Sequence, residues 1–192
     1  MLLLRKPSDR QLQAFLATRQ GAPFSYPDVG STRSQPPAGY AVDHNRVKLG
    51  EGQATFERAA AAVRRWEMFN FGWMQLCWPD APIEPGATVV VLAALPGLWS
   101  VNACRIVYTI DDDAGQARRF GFAYGTLPLH EGRGEERFLV EWDRGDDSVW
   151  FDILAFSQPN SLMVWLGYPA MRIIQKRFAS SSKRAMVAAV SN

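Results

Sequence analysis

From Phe71 to Ser157 one pattern recurs six times: an apolar run of strand length, then a short polar or proline-glycine break. The runs are Phe71–Trp78, Ala87–Leu95, Trp99–Ile110, Arg118–Leu127, Glu135–Trp142 and Val149–Ser157. The breaks include Pro79 to Gly86, Pro96-Gly97, Asp111 to Gly115 and Arg144-Gly145-Asp146-Asp147. None holds the crossover of about a dozen residues or more that joins parallel strands. The six runs therefore predict an antiparallel meander.

Such a sheet has a face to cover, and the flanking segments supply helices. Pro169 suits the first turn of a helix but not its interior. A long helix is predicted from Pro169 to about Val190, with Met171, Ile174, Phe178, Ala185, Ala188 and Ala189 as its apolar stripe. A shorter helical piece is predicted near Leu162–Leu166. Upstream, Phe56, Ala59, Ala60, Val63 and Trp66 recur at helical spacing within Gln53–Phe69. Tyr40 to Leu49 alternates loosely and predicts a first strand. Ser8 and Gln11 have capping-box spacing and predict a helix over Asp9–Arg19. Gln20 to Gly39 is irregular, yet Phe24, Tyr26 and Val29 should hold it against the body.

This order predicts an α+β fold: a curved antiparallel sheet of about seven strands packed on a long C-terminal helix. It resembles the helix-grip arrangement of START and Bet v 1-like proteins. One domain accounts for residues 1–192. Residues 1–39 form a helix and an irregular segment packed on a sheet-and-helix body of residues 40–190.

At 47% hydrophobic residues the chain of 192 is too apolar to be disordered. Its net charge of +2 gives no electrostatic footprint for nucleic acid or a polybasic membrane tether. The two cysteines, Cys77 and Cys104, do not form a Cys-x-x-Cys pair, and the two histidines, His44 and His130, have no ligand-spaced partner. No metal or cofactor is predicted. No apolar stretch approaches the roughly 20 residues that span a bilayer. The expectation is a soluble, cytoplasmic protein of unspecified oligomeric state.

The strand Arg118–Leu127 sets Phe120, Phe122 and Tyr124 on one face and Gly121, Ala123 and Gly125 on the other. A bare stripe makes room for the C-terminal helix, another backbone or a ligand. The densest polar cluster runs from His130 to Arg137. His130 with Glu135 or Glu136 would suit proton transfer near neutral pH, or merely solubilise a hairpin loop. Adjacent strand residues face opposite sides, so Glu135 and Glu136 cannot both point inward. Asn102 and Arg105, within an apolar strand, also face opposite sides. Either is a candidate ligand contact, as are Tyr124 and Glu141. A structural ion pair is the alternative for Arg105.

Several stretches together are similar to those of DUF1990, a family known from bacteria and plants. They are Tyr26-Pro27-Asp28-Val29-Gly30-Ser31-Thr32, Gly39-Tyr40, Leu49-Gly50-Glu51-Gly52, Trp66-x-Met68-Phe69, Asn102 to Tyr108, Arg119 to Leu127, and His130 with Gly134 to Phe138. The resemblance implies an uncharacterised cytosolic family and carries no catalytic residues with it. It adds weight to Asn102, Arg105 and the His130–Glu136 segment.

Three functions fit. The first is binding of a small apolar or amphipathic molecule between sheet and C-terminal helix. The second is a lyase, isomerase or hydrolase that uses His130 with Glu135 or Glu136. The third is a structural or protein-interaction domain.

Overall fold

The structure, a computed structural model, describes residues 1–160 and 168–191. The expected helical piece at Leu162–Leu166 lies outside the described residues. In chain order the elements are β1 (Leu2–Leu3), α1 (Asp9–Arg19), β2 (Ala41–Glu51), α2 (Gln53–Arg64), β3 (Met74–Leu76), β4 (Thr88–Leu95), β5 (Leu98–Asp112), β6 (Ala117–Thr126), β7 (Gly132–Asp143), β8 (Ser148–Pro159) and α3 (Tyr168–Ser191). The strands pair antiparallel in the order β2-β8-β7-β6-β5-β4-β3, with the short β1 added to β5. The result is a curled half-barrel whose inner face grips α3.

Period-two alternation divides the core in two. The inner face carries Phe122, Tyr124, Phe138 and Phe151, packed with Phe69 of a 3-10 turn and with Phe178 and Met186 of α3. Rings fill the middle of the grip, with Phe69 and Phe178 centroids 5.4 Å apart and Phe69 and Phe138 centroids 5.6 Å apart. The outer face carries Val90, Leu92, Val101, Ala103 and Leu127, covered by Leu12 and Phe15 of α1.

The bare stripe of β6 belongs to this outer face, and α3 takes the aromatic face instead. What lies on Gly125 is the N-terminal segment: a methyl group there would meet Tyr26 Oη at 2.2 Å and Phe24 at 2.9 Å. Aromatic rings supply more apolar area to a helix than glycines do, so the helix is held where the rings are.

Two local details depart from the periodicity. The helix expected over Gln53–Phe69 stops at Arg64, because Trp66 adopts a left-handed backbone with φ 58°. That turn drops the Trp66 ring onto Phe122, with centroids 4.8 Å apart, and lets its Nε1 donate to the Ala81 carbonyl. In α3 the buried residues are Phe178, Ala179, Ser181, Ser182, Met186 and Val190. Ala188 is exposed, so the expected stripe is rotated toward a spacing of four. Ser182 is fully buried on that face, its hydroxyl without a hydrogen-bond partner among the described residues.

Candidate functional site

Glu135 and Glu136 are consecutive in β7 and point to opposite faces. Glu135, on the outer face, is 2% exposed. It accepts from Tyr26 Oη at 2.7 Å, from the Gly30 amide at 2.6 Å and from the Thr32 amide at 3.0 Å, and the Thr32 hydroxyl donates as well. Glu135 therefore clamps the irregular strap of residues 24–33 onto the sheet. Its carboxylate is fully engaged and does not reach the inner face. Tyr26, buried beside that negative charge, has its phenol pushed far above its ordinary value.

A one-residue bulge in β5 assists the clamp. Ile106 pairs with Tyr124, but Tyr108 pairs with Ala123, so the extra residue moves Tyr108 to the outer face. There its hydroxyl lies 2.7 Å from Thr32 Oγ1. Arg137 on the same face donates to the Thr32 carbonyl and to Asp152, which also meets His44 Nε2 at 2.5 Å.

The other sequence candidates separate in the same way. Arg105 is on the outer face and makes neither an ion pair nor an open anion site. It donates to the carbonyls of Arg19, Gln20 and Ala22, the acceptors left free where α1 ends. Glu141, also outward, pairs with Arg46 and Arg119. His130 lies in the turn before β7. Its Nδ1 accepts the Gly132 amide at 3.1 Å, and burial lowers the imidazole below its ordinary value. His130 and Glu135 do not meet as an acid–base pair.

Glu136, Tyr124 and Asn102 are on the inner face. Tyr124 is directly across from Glu136, and its hydroxyl donates to Glu136 Oε2 at 2.8 Å. Burial raises the Glu136 carboxyl from 4.5 to about 7, against the Tyr124 hydrogen bond that lowers it; nearby Asp43 adds to the rise. Asn102 Nδ2 donates to Ser100, while its buried Oδ1 has no partner.

Glu136 lies where the grip loosens. Met171 lies near Gly132 of β7 and Phe178 against Phe138, so the first half of α3 runs past the part of β7 that holds Glu136. No residue from Pro169 to Arg177 is buried; burial in α3 begins at Phe178. Polar struts hold this half of the helix: Arg172 donates to Asp43, and Gln175 to Ser157 at 3.0 Å. Sequence reading missed Asp43, Arg172 and Gln175. No local signal marks them, because each acquires its role from a partner more than 15 residues away.

An opening lies at the opposite end of the sheet. It is an open cleft of about 1030 Å³ between the end of α2, the 79–84 segment and the β5–β6 hairpin. It contains none of the sequence candidates. Among the described residues no cluster of three or more metal-ligating side chains occurs, and no helix is long and apolar enough to cross a membrane.

A family model described as "Domain of unknown function (DUF1990)" matches residues 25–185. A UPF0548 protein of Deinococcus radiodurans is 39% identical over 202 residues, covering 98% of each chain. A UPF0548 protein of Dictyostelium discoideum is 32% identical over 207 residues, covering 99% of this chain and 96% of that relative. Among solved structures, Ara h 8.0201 aligns with a TM-score of 0.49 and 12% identity over 80% of this chain and all of its own. Human STARD10 aligns with a TM-score of 0.44 and 11% identity, over 95% of this chain and 81% of its own.

Proposed function

The chain belongs to the DUF1990 family, and from that starting point we propose that it binds a small amphipathic molecule between the inner sheet face and the first half of α3. The observation that carries this reading is the Glu136–Tyr124 pair beneath a stretch of helix that is not packed down. Elsewhere the grip is filled with rings. Here polar groups stand beside apolar surface from Met171, Ile174 and Phe178, the mixture a small-molecule site uses to fix orientation.

Titration with N-phenyl-1-naphthylamine, a neutral apolar fluorophore, tests the reading. The expected result is a saturable one-to-one fluorescence rise that Ile174→Trp, which adds bulk over Glu136, reduces at least about fivefold in affinity. A non-saturating response, or one indifferent to Ile174→Trp, overturns it.

A second reading is favoured by one observation, the Glu136 carboxyl near neutrality. An acid tuned to about 7 can give and take a proton at cellular pH. In this reading Glu136 is the acid–base group and Tyr124 its positioning residue, without His130 or Glu135. Native mass spectrometry of wild type and Glu136→Gln from one host tests it. Copurified molecules that differ in mass between the two support the chemistry; identical ones leave only binding.

A further inference from the structure

The donors and acceptors at the loose end of the grip are unequally matched. Glu136 Oε2 takes the Tyr124 hydroxyl, while Oε1 receives no donor among the described residues. Asn102 Oδ1 is a second inner-face acceptor without a donor. Of the nearby cations, Lys176 is exposed and Arg172 is paired. Arg172 is clasped by both oxygens of Asp43 and by Gln175, and Lys183 reaches Asn45. The Tyr124 hydroxyl already donates its hydrogen bond to Glu136 Oε2. The inner-face acceptors left open among the described residues are therefore Glu136 Oε1 and Asn102 Oδ1.

We infer that the molecule taken here carries a donor head, specifically a protonated amine on an apolar body. This rests on the binding reading above and names its ligand class. The ammonium would sit on Glu136 Oε1, and the body would lie along Ile174 and Met171 toward Phe178. A carboxylate or phosphate head would face the Glu136 charge, beside an Asp43 already paired with Arg172. A neutral hydroxyl could use Oε1, but without the charge-assisted gain of an ammonium.

The groups that interact with Glu136 are Tyr124 on β6, Cys104 on β5 and Asp43 on β2, the last paired with Arg172 of α3. Tyr124 and Cys104 are neutral in the working range, both raised by burial. Asp43 and Arg172 neutralise each other. Glu136 is thus the one group of the set that changes charge near neutrality, and amine binding should strengthen as pH rises through about 7.

The test compares three isosteres on the full chain by calorimetry: 1-naphthylmethylamine, 1-naphthalenemethanol and 1-naphthoic acid. At about pH 8 the amine is expected to bind at least about tenfold more tightly than the acid. In Glu136→Gln, checked for folding by circular dichroism, that ratio should collapse toward one. Tyr124→Phe supplies an independent variant. Removing a hydrogen bond that lowers the Glu136 pKa should move the pH midpoint of amine binding upward. An acid that binds as well as the amine, or a ratio unmoved by Glu136→Gln with a Tyr124→Phe midpoint unmoved, overturns the inference. If N-phenyl-1-naphthylamine still binds in that case, only the head-group assignment falls. If nothing binds, the binding reading falls and the inference with it.

Discussion

Glu135 and Glu136 share a side chain, a strand and a peptide bond, yet they live in opposite environments. On the outer face Glu135 meets four donors from one strap. On the inner face Glu136 meets one donor, Tyr124, with the Asp43 carboxylate nearby. The lesson concerns satisfaction as well as burial: Glu135 is buried and Glu136 half-buried. A buried carboxylate with a full set of donors is part of the scaffold. A half-buried carboxyl with an oxygen left open is held near neutrality and stays available.

The largest expected effect breaks the outer half of the comparison. Glu135→Gln replaces an acceptor-only group with one that presents an NH2 to the strap's donors. It should cost about 3 kcal/mol, because several buried donors lose their partner together. Urea unfolding measures the loss, and a cost below about 1 kcal/mol would show that the strap is held by Phe24 and Tyr26 packing instead.

Gly125→Ala tests the strap from the sheet side. Its Cβ would lie 2.2 Å from Tyr26 Oη, so Tyr26 must shift and its bond to Glu135 lengthen. About 2 kcal/mol of destabilisation is expected, from overpacking of a close contact. Thermal unfolding of this variant alone and combined with Glu135→Gln measures the coupling. Purely additive losses would separate the glycine from the clamp.

The smallest effect belongs to the inner carboxyl and has the opposite sign. Its folded pKa, about 7, lies above the unstructured value of 4.5, so the folded state holds the proton more tightly. Stability linked to Glu136 is therefore greatest at low pH and falls as pH climbs from about 4.5 through about 7. Glu136→Gln removes that fall. The variant should gain on the order of 1 kcal/mol relative to wild type between pH about 5 and about 8. Chemical denaturation across this range measures the gain, and a pH-independent difference would mean that Glu136 titrates alike in both states.

Much of the fold was legible because it rests on local periodicity. The six apolar runs became β3 to β8, although Phe71–Trp78 shrank to three strand residues. The Ser8–Gln11 capping box forms as spaced, and α1 covers the predicted Asp9–Arg19. The site was legible only in part. Alternation correctly separated Glu135 from Glu136 and Asn102 from Arg105. It could not say which member of each pair faces α3. Tyr108 escapes alternation altogether, since a bulge resets its face.

The stretches that carry the family resemblance gain a physical meaning from contact. Tyr26 to Thr32 and Gly134 to Phe138 are about 100 residues apart in sequence, and Glu135 joins them directly. By itself the chain determined the meander, the helices and the parity of its polar residues, because those follow from side-chain spacing along one segment. Only the tertiary structure decided that α3 takes the aromatic face, that the strap takes Gly125, and that one of two neighbouring glutamates keeps an open oxygen. Those outcomes depend on which distant donors arrive at each face, and no single segment encodes its partners' arrival.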